Sequence, residues 1–466
     1  MATAMETSST GPAAPAATTS AALSSLDRLL PSTPLRLHPR LDLEIYASNY
    51  TGHARIIRLL FIAATCPDLR VDALRSAMHD LKKTLNTKLY EAVGEDLRVA
   101  AAAANVSRPE DRVDSAWVDA TFRKAQNLFE RLDTDLRGHR NTFIKESIRM
   151  GNTDLGDHFY DRGELSEAVK CYTRARDYCT TTKHMMQVCL SVIQVNMEAS
   201  LWTTVSAYLA KGEAAAADPS CDALSQAKLA ACRGLYLLHE RQFNQAGKVF
   251  VDVSFDICGN FSEVIAAQDI AIFGALCGLA TFDRAEIKSK LIDLPNFRQF
   301  LELVPEVREL IQAFYHSRYA TVLTIMSSLH DDLAADIHLN PHVSALFALI
   351  RSRAMQQYAS PFLSVDMSKM ATAFKTTIAD LEQELVALII AGQISARIDS
   401  HNKVLYARQV DTRSATFHRA LQFGEEYDYA SKALLMRVAL LKCGLGVNSK
   451  SKSGAGDVDR EMHPRR

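Results

Sequence analysis

The sequence predicts an all-α chain: a right-handed arm of tetratricopeptide-like helical repeats, then a winged helix with a small β-ribbon, then one long C-terminal helix. Three observations carry this expectation. Apolar residues recur at spacings of three and four from Leu41 onward, as amphipathic helices require. Small and aromatic residues repeat between Asn152 and Asp256 at intervals of about 40 residues, the size of a helical hairpin. Residues 393 to 410 alternate between apolar and polar, which is the period of half-buried strands.

Residues 1–36 are rich in Ala, Ser, Thr and Pro and hold too little apolar surface to offset the entropy of ordering, so a disordered tail is expected. That stretch has neither the charged start nor the apolar run of a secretory leader, and its first arginine is Arg28. Residues 37–150 read as packing helices. Ile56, Leu59, Leu60 and Ala63 form one stripe, and Leu74, Met78, Leu81, Leu85 and Leu89 form a second along Leu69 to Tyr90. Ala100 to Ala104 is expected to be a solvent-facing connection, followed by helices over Trp117 to Leu132 and Gly138 to Met150.

Repeats are expected over residues 151–300. Leu155, Gly156, Phe159, Tyr160, Gly163, Ala168, Tyr172 and Ala175 fall where two helices approach closely and aromatics fill the groove. Gly234, Leu237, Phe243, Ala246 and Phe250 echo them, with a degenerate unit around Trp202, Val205 and Leu209 between. Such units cannot bury their faces alone, so they stack. No Gly- or Ser-rich linker separates the stack from the C-terminal module, which predicts a stiff junction.

The last module is expected over residues 301–411, with the winged helix at about 343–411. Helices are expected at Val343 to Tyr358, Ser368 to Phe374 and Ile378 to Ala391, then a ribbon of Gln393 to Asp399 and Lys403 to Val410. Leu381, Leu385, Leu388 and Ile389 form the inner stripe of the third helix, and Asp380, Glu382 and Glu384 its polar side. Three carboxylates there would repel phosphate, which points to protein rather than nucleic acid as the partner. Residues 412–443 read as a helix with a narrow stripe, Phe417, Leu421, Tyr427, Leu434, Val438 and Leu441, weakened by Gly424. Residues 444–466 are expected to be a second disordered tail.

Composition excludes several classes. Of 466 residues, 53 are Lys or Arg and 54 are Asp or Glu, a formal net charge of −1, so no global field draws nucleic acid or anionic lipid. Nine cysteines stand singly without CxxC pairs, as expected of reduced thiols. None of the 14 histidines forms HxH or HExxH, and neither a P-loop nor a GxSxG elbow occurs, so no catalytic residue, cofactor or metal site is assigned. Cys171, Cys179, Cys189 and His184 are spaced as packed side chains rather than metal ligands. His401 is expected to be a solvated turn residue and Trp202 a core one.

The runs HVSALFALIRSRAMQQYASPFLSVDMSKMATAF and LEQELVALIIAGQISARIDSHNKVLYARQVDTR resemble the PCI domain, the winged-helix module of the proteasome lid, the COP-nine signalosome and translation initiation factor three. LDLEIYASNYTGHARIIRLLFIA and MGNTDLGDHFYDRGELSEAVKCYTRARDYC extend the likeness, and DSHNKVLYAR favours the signalosome group over the lid group. The resemblance implies a non-catalytic scaffold in the nucleus and cytoplasm. Its partners would be other PCI-domain subunits, a metalloisopeptidase-containing complex and, through that complex, cullin-RING ubiquitin ligases. Lys403, Val404, Leu405, Tyr406 and Arg408 on the ribbon, with the six stripe residues of the last helix, are the expected partner-binding residues; the ribbon strand would offer backbone groups for a neighbour to extend.

Overall fold

The computed structural model describes residues 37–39, 41–106, 108, 111–218, 221–408 and 412–444, and both tails expected to be disordered lie outside them except Gly444. It divides into two compact units, one ending at Ile394 and one beginning at Ser395.

The first unit opens with α1 (Leu43–Ser48), α2 (Gly52–Thr65), α3 (Arg70–Leu81) and α4 (Thr87–Ala103). The single helix expected over Leu69 to Tyr90 is two. Asn86 interrupts it because its side chain accepts a hydrogen bond from the Leu89 amide (3.1 Å) and so caps a new helix. Ala100 to Ala103 belong to α4, with Ala100 and Ala101 buried, so the expected surface connection begins later. The break expected between Leu132 and Gly138 is absent, because α5 (Ser115–Thr142) runs unbroken through Gly138. The chain turns instead at Phe143, whose φ of 55° is left-handed.

The arm continues as α6 (Lys145–Asp161), α7 (Leu165–Arg176), α8 (Thr182–Glu198), α9 (Trp202–Ala216), α10 (Ala223–His239) and α11 (Phe243–Asp252), each packed on the next. Glycine permits the tight crossings. A Cβ at Gly156 would lie 2.7 Å from the Tyr172 ring, and one at Gly234 would lie 2.5 Å from the Phe250 ring. The small-aromatic motif therefore records a physical contact between paired helices. Trp202 is half-buried and stacks on His239 with centroids 4.2 Å apart, rather than sitting in the core.

Next come α12 (Ala267–Thr281), a short α13 (Arg284–Glu286) running into a π-turn, α14 (Pro295–Glu302), α15 (Pro305–Tyr315), α16 (Tyr319–Ala334) and α17 (Val343–Ala359). Helix α12 is apolar around its whole circumference and packs on α11 from the arm and on α14, α15 and α17. A helix with no polar face is stable only when enclosed. It fuses the arm to α14, α15 and α17 without a linker. The unit closes with β1 (Ser364–Asp366), α18 (Met367–Ala373) and α19 (Ile378–Ile390).

One buried ionic group ties the N-terminal helices to this junction. Arg58 in α2 is 3% exposed, lies 4.0 Å above the Tyr50 ring, and pairs with Asp336 and with Asp269 (3.3 Å). Tyr50 donates to Asp269 (2.8 Å) and Asn49 to Gln268 (2.8 Å). Burial lifts the Asp269 carboxyl above its ordinary range. Asp336, despite the same burial, is held low by the guanidinium beside it.

The second unit holds β2 (Ala396–Asp399), β3 (Val404–Ala407) and α20 (Thr412–Lys442). The strands pair antiparallel with Ile398 opposite Leu405 and Arg397 opposite Tyr406. The Asp399 carboxylate accepts from the His401 and Asn402 amides (3.1 and 3.2 Å), closing the turn and lowering its own pKa. Gly424 does not interrupt α20, which runs unbroken for 31 residues. Gln409 and Val410, the expected end of the ribbon, lie outside the described residues.

Replacing Arg58 with Ala leaves two buried carboxylates without their cation and is expected to cost about 3–5 kcal/mol. Gly234→Ala should cost about 1–3 kcal/mol through its collision with Phe250. Both losses are read from urea denaturation midpoints, and a wild-type midpoint for either variant would contradict the packing described.

Candidate interaction surface

The exposed apolar side chains concentrate on α20. All six stripe residues are solvent-exposed, from 42% at Val438 to 77% at Tyr427. The stripe is not narrow, however. Phe423 and Leu435 are as exposed and widen it, and Tyr429, Met436 and Leu440 lie on other faces. Consecutive apolar positions at Leu434, Leu435 and Met436, with Val438, Leu440 and Leu441, make the end of the helix apolar all round. Sequence reading missed this because a search for spacings of three and four selects one face and discards the rest. In a helix without amphipathicity, the run of apolar letters itself is the signal.

The ribbon residues divide. Lys403 takes the left-handed turn position (φ 55°), Val404 is half-buried and Leu405 is 2% exposed. Leu405 is thus a core residue and is withdrawn from the expected binding set. Tyr406 (45% exposed) and Arg408 face solvent. One side of β3 is occupied by β2, and the Arg408 amide donates to the Ser395 carbonyl (2.9 Å). The ribbon therefore offers Tyr406 and Arg408 as side chains more than it offers free backbone.

Helix α19 also departs from expectation. Leu381, Leu385 and Leu388 are buried as anticipated, but of the three carboxylates only Asp380 is fully exposed, while Glu382 and Glu384 are half-buried. Glu384 turns onto Arg351 (2.9 Å), and Asp380 accepts from the Thr377 hydroxyl (2.6 Å) at the helix start. Ala379, Gln383, Val386, Ala387 and Ile390 point outward, with Ile390 81% exposed. The face that meets a phosphate backbone in a DNA-reading winged helix thus carries one carboxylate, Asp380, among uncharged side chains. It lacks the cations that phosphate requires.

The first unit also contains a small cleft lined by Ala54, Ile57, Gln194, Glu198, Glu263 and His338. Its polar groups answer one another. Tyr160 of α6 donates to Glu198 of α8, Gln194 donates to the Tyr160 oxygen (3.1 Å), and the His53 ring of α2 lies tilted against Tyr160 at 4.4 Å. Burial pushes the Glu198 carboxyl up to about 8, and burial pushes His53, His338 and His342 down to about 4. These groups fasten α2 and α6 to α8. Among the described residues, no three His, Cys, Asp or Glu side chains are grouped to hold a metal ion, and no helix is long and apolar enough to cross a membrane. Cys171 packs with Leu136, Ile148 and Leu155, Cys189 is buried, and His184 faces Glu146 (3.5 Å).

A helical-repeat arm fused to a winged helix and followed by an uncovered apolar helix defines a PCI-domain subunit of a multi-subunit assembly. Residues 326–409 match the PCI domain, and residues 114–290 match the family described as 26S proteasome subunit RPN7. The chain is 47% identical to COP9 signalosome complex subunit 1 of Arabidopsis thaliana over 86% of its length and 90% of that protein. It is 38% identical to subunit 1b of Drosophila melanogaster over 91% of its length and 90% of that protein. Identity to the 26S proteasome non-ATPase regulatory subunit 6 of Oryza sativa subsp. japonica is 22%, over 77% of this chain and 87% of that one. The chain belongs to the COP9 signalosome subunit 1 family.

The titrating groups of the junction set a pH optimum for stability. Between about 4.5 and 8 the folded chain keeps a Glu198 proton that the unfolded chain releases, so stability falls as pH rises, by up to about 1.4 kcal/mol per unit. Between about 4 and 6.5 the unfolded chain protonates three histidines that the folded chain keeps neutral, so stability falls as pH drops. Thermal unfolding should therefore peak near pH 6.5, and Glu198→Gln should flatten the alkaline decline. An identical decline in that variant would remove Glu198 from the account.

Proposed function

We propose that the chain is a non-catalytic scaffold of the signalosome. It holds sister PCI-domain subunits in place while a metalloisopeptidase subunit removes a ubiquitin-like modifier from cullins of cullin-RING ubiquitin ligases. The observation that carries this reading is α20. Its last turns expose Leu434, Leu435, Met436, Val438, Leu440 and Leu441 around the full circumference. A single docking groove would cover one side of such a helix; a bundle of several helices covers all of it. Burying the six stripe residues would contribute about 1.5–3 kcal/mol each before ordering costs, enough for stable assembly.

Tyr406 and Arg408 of the ribbon supply a second contact, an aromatic and a guanidinium of the kind that anchor interfaces. The outward face of α19, which carries Asp380 and no cation, favours protein over nucleic acid as the partner of the winged helix. The work is proposed to occur in the cytoplasm and the nucleus, where the cullin ligases act.

Lys at both Leu434 and Val438 should release the chain from the assembled complex while leaving its thermal unfolding unchanged. Native mass spectrometry of the complex reads this directly. Undiminished incorporation of the double variant would refute the bundle, and a recombinant chain that cleaves the modifier from a cullin unaided would refute the scaffold reading.

A further inference from the structure

We propose that the cleft between α16, α17 and the end of α18 is a docking site for an acidic, apolar helical segment of a partner polypeptide. This surface lies in the first unit and is independent of α20 and of the ribbon.

The cleft has a volume of about 610 Å³, within the range of preformed binding sites. Its floor is apolar. Met326 and Phe374 are buried, and Phe347 is half-buried beside them. Water held over such a floor is displaced favourably by an apolar side chain.

Two cations, Arg351 and Lys375, line the same cleft, and the second is under-used. Lys375 follows α18, and its ammonium donates to the neutral Thr324 hydroxyl across the cleft (2.6 Å); among the described residues it has no carboxylate in ion-pair range. The Arg351 guanidinium gives its Nε–H to Glu384 (2.9 Å), while its Nη2 is buried with no hydrogen-bond partner. The one carboxylate lining the cleft, Asp331, is already engaged by the adjacent His330 ring nitrogen (2.9 Å). An acidic ligand meets the Lys375 ammonium, which has no carboxylate contact to give up.

The complementary guest is a carboxylate flanked by apolar side chains on one face of a helix. Its carboxylate would bond the Lys375 ammonium, exchanging a neutral hydroxyl contact for a charge-assisted one. Its Leu, Met or Phe neighbours, three or four residues away, would fill the space over Met326, Phe347 and Phe374.

The test uses the full-length chain and two fluorescein-labelled peptides with the same leucine spacing, one with glutamate and the other with lysine at every polar position. Fluorescence anisotropy should show the glutamate peptide binding at least about tenfold more tightly than the lysine peptide. Lys375→Glu should weaken it by about tenfold, and Ala348→Trp, which fills the cleft from α17, should abolish it; circular dichroism confirms that each variant is folded. The same affinity is expected when Leu434 and Val438 are both replaced by Lys, which separates this site from the apolar α20. Equal binding of the two peptides, or binding unmoved by Lys375→Glu and Ala348→Trp, would overturn the proposal. So would a single-stranded RNA that displaces the glutamate peptide and itself loses affinity in Lys375→Glu.

Discussion

The first unit depends on one buried cation. Arg58 enters from α2 and meets Asp269, at the start of α12, and Asp336, in the turn before α17; these lie 211 and 278 residues away in the chain. Neither the guanidinium nor the carboxylates have enough water to remain charged alone, so each is tolerable only while the others are in place. The interaction is therefore less a source of net stability than a condition on geometry. It fixes where α2 lies against α12 and, with His53 on Tyr160, where α2 lies against the arm.

Helix α12 completes that arrangement. Being apolar on every side, it must be wrapped, and its wrapping consists of the last arm helix on one hand and α14, α15 and α17 on the other. The Gly156 and Gly234 crossings make the arm equally intolerant of sliding, since a single added methyl would enter an aromatic ring. Close packing of this kind has few alternative arrangements, which is what a subunit that positions others requires. Apolar surface is then left exposed on α20 and in the cleft beneath Lys375.

Much of this was legible locally. The small-aromatic motif at Gly156 and Tyr172 corresponds to a real contact, the inner stripe of α19 is buried at Leu381, Leu385 and Leu388, and the six named α20 residues are exposed. The failures share a cause. Asn86 and Phe143 interrupt helices through a side-chain cap and a left-handed backbone, features that apolar periodicity does not encode. The α19 carboxylates carry the expected charge, but Arg351, 33 residues earlier, decides where Glu384 points.

The sequence by itself determined the helical class, the repeat, the winged-helix order and the apolar surplus of the last helix, because each arises from spacings shorter than a few turns. Only the tertiary structure decided that Arg58 unites α2 with Asp269 and Asp336, that Leu405 is core while Tyr406 is surface, and that Arg351 and Lys375 share a cleft. Those outcomes depend on which distant groups come within hydrogen-bonding reach. Electrostatics and burial act over a few ångströms of space whatever the separation along the chain.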